Sequence, residues 1–220
     1  MTSTIHADKI MNSSGDQDSG VDLLVNDQVK IKTANTDRVT VTDTTTTISN
    51  DLDVTGSLTA PGVFINAVSA VKTDSQSNAS NNSFSDITGL SVTITPKSTS
   101  SKILLLCNIS LSCSDDATGR SFRCLRNGTH IGGGSEGSRK SVNFFASPMS
   151  TDQNMSGTTS WHYLDSPSST SALTYKIQMT GYNSAVTTYI NTNMSRGGQA
   201  YDDIATSNFT AIEVAGWHQL

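Results

Sequence analysis

Apolar and polar residues alternate along much of this chain, most clearly between Leu90 and Cys113. Apolar side chains recur at every second position up to Ile94, and after the turn-prone residues 96–101 the alternation resumes at Ile103. A period of two is typical of a strand with one buried face and one exposed face. The pattern therefore predicts two antiparallel strands joined by a short polar turn.

Two leucines in the second of these strands depart from the alternation. Leu104 and Leu106 add apolar side chains to the face that Asn108, Ser110 and Ser112 keep polar. Apolar residues on both faces are typical of a strand that is covered on both sides. This part of the strand is therefore expected to have a second packing partner besides the core.

Short alternating segments separated by turn residues continue to the end of the chain. The predicted strands span residues 122–126, 129–131, 141–146, 160–165, 172–180, 186–192 and 208–215. Asn127-Gly128 is the strongest hairpin signal, because a type I′ turn needs positive φ at both central residues. Short strands with turns between them, without helical periodicity of useful length, predict an all-β fold with an antiparallel β-sandwich.

Residues 1–62 have a different pattern, in which an acidic turn precedes each of three short strands rich in valine, isoleucine or leucine. The three units are NDQVKIK, TDRVTVT and NDLDVTGS. Each unit offers too few apolar side chains to bury a core within one chain. The region is therefore predicted to form an intertwined β-shaft made by several chains, and a disordered linker is the alternative interpretation.

Composition and charge narrow the possible partners. Only 15% of the 220 residues are charged, the net charge is −5, and Lys and Arg do not cluster along the chain. Nucleic acid is therefore not an expected partner, because phosphate neutralisation needs clustered cations. The N-terminus has no basic segment followed by an apolar run, and no window approaches the ~20 apolar residues of a membrane span. Folding in a cytosol, without membrane insertion, is expected.

The three cysteines are Cys107, Cys113 and Cys124. Two of them fall on the apolar face of the long strand, and an odd number does not suit a disulfide framework. Buried reduced thiols are the favoured interpretation. A disulfide or a metal site is the alternative.

Residue types that carry catalysis are scattered along the chain. The four histidines do not fall at spacings that ligate a metal or pair with a nucleophile. Asp115-Asp116 and Asp202-Asp203 could hold Ca²⁺ through loop oxygens, although solvated loop acids are the simpler interpretation. The sequence therefore predicts no enzymatic activity, no cofactor and no metal site.

Several stretches carry a resemblance to a known family. They are GLSVTITPKSTSSKILLL, FRCLRNGTHIGGG, LDSPSSTSALTYKIQM and SNFTAIEVAGW, together with the leading unit that contains GVDLLVNDQVKIKTANTDRVTV. In these stretches the chain resembles tail-fibre and virion appendage proteins of tailed phages, notably those that infect marine cyanobacteria. The resemblance implies a homotrimer with a virion-proximal β-shaft in residues 1–62 and a jelly-roll-like head in residues 63–220.

The expected function follows from this organisation. The protein is expected to be a structural component of a phage virion, made in the host cytoplasm. Its N-terminus would dock on other tail or baseplate proteins, and its head would adsorb to a bacterial surface glycan or protein. The alternatives are a purely architectural tail or capsid decoration protein and a trimeric C1q-like or lectin-type carbohydrate-binding module.

Strand parity predicts where a receptor would bind, because successive antiparallel strands reverse direction. The loops expected to share the end away from the shaft are residues 72–83, 114–120, 133–140, 166–171 and 193–206, with Asn127-Gly128 at the opposite end. Loops on a rigid sandwich are where binding residues concentrate. The side chains in these loops that are expected to grip a sugar or a surface protein are Arg120, Arg139, Arg196, Tyr201, Asp202 and Asp203.

Overall fold

The computed structural model divides the chain into two compact units, Met1–Leu58 and Thr59–Leu220, close to the boundary predicted after residue 62. The residues that the structure describes are the backbone of five short strands before residue 49 and residues 63–79, 83–114, 119–146, 156–181, 187–193, 200 and 202–215. All regular secondary structure in these residues is β, which confirms the predicted class. Within the same residues, no helix is long and apolar enough to cross a membrane.

The first unit is an antiparallel meander of five strands that pair in chain order. The strands are β1 (Lys9–Met11), β2 (Gly20–Asp22), β3 (Gln28–Thr33), β4 (Thr36–Thr42) and β5 (Thr46–Ile48). Strands β3 and β4 coincide with the first two predicted units, whereas the third predicted unit lies outside the described residues. The strands pair with one another in a single chain, so assembly of this region from several chains stays a prediction.

The register of this meander aligns one β-branched residue from each strand in a single row. The row consists of Ile10, Val21, Ile31, Val39 and Ile48. Residues that are paired across neighbouring strands form one row across the sheet. The alternation recognised in the sequence therefore produces one apolar row across the first unit.

The described residues of the second unit form eleven strands in two antiparallel sheets. They are β6 (Phe64–Lys72), β7 (Gln76–Asn78), β8 (Ser85–Ile94), β9 (Lys102–Cys113), β10 (Arg120–Arg126), β11 (Thr129–Ile131), β12 (Phe144–Ala146), β13 (Gly157–Asp165), β14 (Leu173–Thr180), β15 (Thr188–Ile190) and β16 (Ser207–Val214). Sheet I has the order β6-β16-β9-β15-β7, with β13 on the other edge of β9. Sheet II has the order β11-β10-β14-β8, with β12 beside β11 on the same edge of β10.

The inner faces of the two sheets share one hydrophobic core. Leu105, Ile109 and Phe209 enter it from sheet I, while Leu90 and Ile177 enter it from sheet II, and all five are fully buried. The alternation from Leu90 onward is therefore confirmed as an inward-facing set, and the fold is β-sandwich-like. Asn127 and Gly128 have φ values of 48° and 86°, as the predicted hairpin turn requires.

Four aromatic rings link the sheets along one open edge. Phe122 stacks on Phe144, Phe144 on Trp161, and Trp161 on Tyr163, with centroid separations of 4.9, 5.8 and 5.7 Å. Phe144 belongs to β12, and Trp161 belongs to β13 of the opposite sheet. Such pairs add to the free energy that their burial provides. The stack therefore holds the edge of sheet II against sheet I.

All three cysteines are buried and none forms a disulfide, which confirms the interpretation as reduced thiols. Burial raises the pKa of the Cys107 thiol to about 12. A thiol in this environment stays protonated at neutral pH, and the protonated form is a poor nucleophile. These side chains therefore serve as small apolar residues of the core.

Removal of residues 1–62 should leave a folded second unit. Every described residue of the hydrophobic core lies beyond position 67, and the Val63 carbonyl that remains still accepts a hydrogen bond from the Ala215 amide at 2.9 Å. We expect the truncated chain to be soluble, with a β-rich circular dichroism spectrum and a cooperative thermal transition. Aggregation of the truncated chain, under conditions that keep the full chain soluble, would show that the boundary is misplaced.

Candidate functional site

The strand termini define two ends of the second unit. Lys72 pairs with Ser207 at the end where β9 and β14 stop and β10 starts, and we call this the Lys72 end. Asp165 pairs with Ile103 at the other end, which we call the Asp165 end. The Asn127-Gly128 turn lies at the Asp165 end, as strand parity predicts. These ends show which of the predicted binding loops lie together.

Three of the five predicted loops border the Lys72 end, and two do not. The strands that flank residues 72–83, 114–120 and 193–206 terminate at the Lys72 end. Residues 166–171 instead connect Asp165 with β14 at the Asp165 end. Residues 133–140 leave the edge of sheet II between β11 and β12. The prediction that all five loops share one end is therefore wrong.

The error comes from β11 and β12. Both strands pair with β10 on the same edge and run in the same direction, so they act as two halves of one interrupted strand. Counting them as two crossings inverts the predicted direction of β13 and β14. The prediction also counts residues 186–192 as a crossing, whereas β15 reaches only the last three residues of β9. The two errors cancel, so residues 193–206 lie at the predicted end.

The six predicted binding side chains occupy different environments. Arg120 begins β10, is 1% exposed and donates from Nη1 to the Gly119 carbonyl at 3.2 Å. The prediction of Arg120 as a surface residue is wrong, because Arg120 and Phe122 lie on the same face of β10 and Phe122 faces the core. Asp202 is half-buried and Asp203 is exposed. Arg196 and Tyr201 lie outside the described residues.

Arg139 lies on the segment that separates β11 from β12. Asn143 anchors this segment at the sheet edge, because its Oδ1 accepts from the Cys124 amide at 2.7 Å and its Nδ2 donates to the Ile131 carbonyl at 2.8 Å. Next to this anchor, the Ser141 hydroxyl donates to the Gly134 carbonyl at 2.6 Å. The anchor replaces the ladder bonds that the interrupted strand lacks, so the segment is fixed at both its ends.

The segment encloses a small depression of about 190 Å³, which we call the 134–142 depression. It is lined by Gly134, Ser135, Glu136, Arg139, Lys140 and Val142. Arg139 Nη1 contacts Glu136 Oε2 at 2.9 Å, and both side chains are more than two-thirds exposed. A pair this exposed contributes little to stability and stays accessible to a ligand.

The outer face of sheet II continues from this depression. Arg123 lies over the Phe84 ring at 3.8 Å from its centroid, and Lys140 reaches the same ring at 5.7 Å. Arg123 Nε also donates to Gln178 Oε1 at 2.8 Å, which fixes the direction of the guanidinium. Phe84 precedes β8, so strands from both edges of sheet II contribute to this arrangement.

Another cation on this face, Lys176, is held by a carboxylate. Lys176 Nζ donates to Asp86 Oδ2 at 2.8 Å, and Gln178 Nε2 donates to Asp86 Oδ1 at 2.6 Å. The hydrogen bond from Lys176 is the largest cause that holds the pKa of Asp86 below its usual value. We call Arg123, Arg139, Lys140 and Lys176 the cationic face. The four cations and the two carboxylates beside them, Asp86 and Glu136, give this face a local charge of +2, on a chain whose net charge is −5.

In the part of the chain that the structure describes, no group of three or more His, Cys, Asp or Glu side chains could hold a metal ion. Asp115-Asp116 lies outside that part. His130 Nε2 lies 2.9 Å from Asn143 Oδ1, an edge contact beside the 134–142 segment. The cationic face is therefore the best-defined candidate site.

Sequence comparisons do not assign this protein to a family. No protein-family model matches the chain, and no curated protein is significantly similar to it.

Proposed function

We propose that the protein is a homotrimeric fibre protein of a phage particle. In this proposal the first unit attaches to the virion through tail or baseplate proteins, and the second unit is a jelly-roll-like head that adsorbs to the host cell. The observation that carries the proposal is an apolar row on the outer face of sheet I, which one chain leaves exposed. The resemblance to tail-fibre and virion appendage proteins supports the same role.

The strand order supports the jelly-roll-like head. When the short strands β7 and β15 are set aside and β11 and β12 are counted as one, sheet I is β6-β16-β9-β13 and sheet II is β8-β14-β10-β11. The first main strand pairs with the last, and the second pairs with the one before the last. This nesting is the arrangement of a jelly roll, a fold found in viral capsid and lectin domains.

The apolar row on sheet I supports association of identical chains. Register places Leu164, Leu104, Ile212 and Ala67 in line across β13, β9, β16 and β6, on the face opposite the core. Leu106 lies beside this row, and Leu106 and Leu164 are 39% and 48% exposed. Interfaces of obligate oligomers resemble cores, and cyclic assembly buries the same patch on every chain. Association through this row would give Leu104 and Leu106, which break the alternation in the sequence, a second packing partner.

Sedimentation of the purified full chain at micromolar concentration tests the assembly. We expect a trimer, and we expect Leu104→Ser with Leu164→Ser to shift it towards monomer because these changes remove the apolar surface. Phe145→Ser is the matched control, since Phe145 is 72% exposed on sheet II, outside the row. A monomeric or dimeric wild-type chain would contradict the proposal.

Adsorption tests the role in host recognition. Fluorescently labelled trimers should bind intact cells of a susceptible bacterium and should compete there with whole phage particles. Trimers that bind virions but do not bind cells would favour an architectural decoration protein instead.

A further inference from the structure

The cationic face concentrates positive charge in one place. Four of the fourteen Lys and Arg residues lie on it, in a chain that has nineteen acidic residues. Local charge of one sign attracts ligands of the opposite sign and speeds their association. The attraction is directed towards the outer face of sheet II, away from the apolar row of sheet I.

Two of the four cations on this face are held in place before any ligand arrives. Phe84 and Gln178 fix Arg123, and Asp86 fixes Lys176. Partial burial lowers the pKa of the Lys140 ammonium because it removes water from the charge. A nearby anion would offset this desolvation cost, which the folded protein bears before any ligand binds. A binding surface that is ordered in advance loses less conformational entropy when it binds.

The 134–142 depression limits the size of what binds. Its volume of about 190 Å³ is below the range of about 300–1,000 Å³ for pockets that enclose a whole small molecule, so it suits one unit of a longer ligand. Arg139 and Lys140 supply the charge at its rim, and Ser135 and the backbone at Gly134 supply neutral polar groups. A planar guanidinium matches a carboxylate through two parallel hydrogen bonds.

The surroundings favour a sugar polymer over a nucleic acid. Exposed hydroxyl side chains continue across the outer face of sheet II at Thr88, Ser91, Thr93 and Thr174. Single-stranded nucleic acid is usually held by several aromatic rings that stack on successive bases. In the described part of this face, Phe145 is exposed, whereas the Phe84 ring is already covered by Arg123. The surface therefore offers charge and hydroxyl groups, which match the chemistry of an acidic polysaccharide.

We propose that the cationic face binds an acidic polysaccharide, with Arg139 and Lys140 holding the carboxylate of one sugar unit at the 134–142 depression. The proposal rests on the proposed role in host adsorption and names the class of surface ligand for it. It places recognition on the outer face of sheet II. Of the six binding side chains predicted from the sequence, it uses Arg139.

Calorimetric titration of the full chain with an oligogalacturonate tests this proposal. We expect the acidic oligomer to bind, its methyl ester to bind far more weakly, and affinity to fall as salt is raised. Arg139→Gln with Lys140→Gln should lower affinity about tenfold or more, as the loss of one charge-assisted hydrogen bond implies. Lys97→Gln, which removes an exposed cation from the turn before β9, is the matched control and should leave affinity unchanged.

A second variant separates a shaped site from general charge attraction. Gly134 lines the depression, and a Cβ there would meet no atom within 4 Å, so Gly134→Leu is expected to fold normally and to obstruct the depression without a change in charge. We expect this variant to lose binding and to keep the thermal transition of the wild type. Equal binding of the acid and the ester, or full binding by Gly134→Leu, would overturn the proposal. Tighter binding of a single-stranded oligonucleotide would overturn it as well.

The same variants in the cell-adsorption assay distinguish the two proposals. If the wild type adsorbs to cells and the variant Arg139→Gln with Lys140→Gln adsorbs equally well, the polysaccharide site is overturned and the fibre function stands. Oligogalacturonate binding without adsorption to any susceptible cell would overturn the role in adsorption and leave the site standing.

Discussion

Replacement of Leu105 by aspartate is expected to unfold the second unit. Leu105 is fully buried on the inner face of β9, and it is paired across the sheet with Ala211 of β16 and Tyr163 of β13. A carboxylate placed there would have no partner, and an unpaired buried charge costs several kcal/mol. That cost is comparable with the whole stability of a domain, about 5–15 kcal/mol. Loss of the cooperative thermal transition in circular dichroism is the expected result.

Thr88→Asp is the matched control for this substitution. Thr88 lies on β8 with its side chain exposed, so the same carboxylate is introduced where water can solvate it. Surface changes of this kind usually alter stability by less than about 0.5 kcal/mol. If Leu105→Asp melts like Thr88→Asp, the assignment of the inner face of sheet I is wrong.

The core was predictable from the sequence because burial on one face of a strand leaves a period of two in the residue pattern. The set from Leu90 to Cys113 shows this, and so do Leu173, Tyr175 and Ile177 of β14, which are all buried. The same parity places Arg120 with Phe122 on the inner face, so its burial was also recoverable. The prediction of Arg120 as a surface residue follows from its position in the loop 114–120, whereas strand parity determines its burial.

The candidate site was only partly predictable, because it depends on pairing between distant segments. Phe84 and Arg123 come from the two sides of sheet II, and no local pattern indicates that they meet. Whether β11 and β12 form a hairpin or one interrupted strand is decided by their common partner, β10. The sequence prediction names Arg139 as a charged side chain of the loop 133–140, whereas Lys140, the last residue of the same loop, is not among the predicted binding residues. The approach of Lys140 to the Phe84 ring depends on tertiary pairing that no local pattern indicates.

Removal of the Asp165 carboxylate is expected to cause the second large loss of stability. Asp165, at the end of β13 in sheet I, accepts from Arg126 Nη1 at 2.9 and 2.7 Å and from the Tyr175 hydroxyl at 2.7 Å. Both donors belong to sheet II, so these bonds tie the two sheets together. Burial raises the pKa of Tyr175, and Asp165 raises it further, so the phenol remains a donor across the physiological range.

Asp165→Ala should lower the free energy of unfolding by about 3 kcal/mol, the low end of the range for broken buried pairs, because the Arg126 side chain is 28% exposed and water can solvate part of it. For a domain of this size that corresponds to a fall in Tm of about 6–12 °C. Asp86→Ala is the matched control, since it breaks an ion pair with Lys176 in which both partners are a third or more exposed. Its cost should stay below about 1 kcal/mol. Equal losses in the two variants, measured by denaturant unfolding, would mean that the link between the sheets at the Asp165 end contributes no more than a surface ion pair.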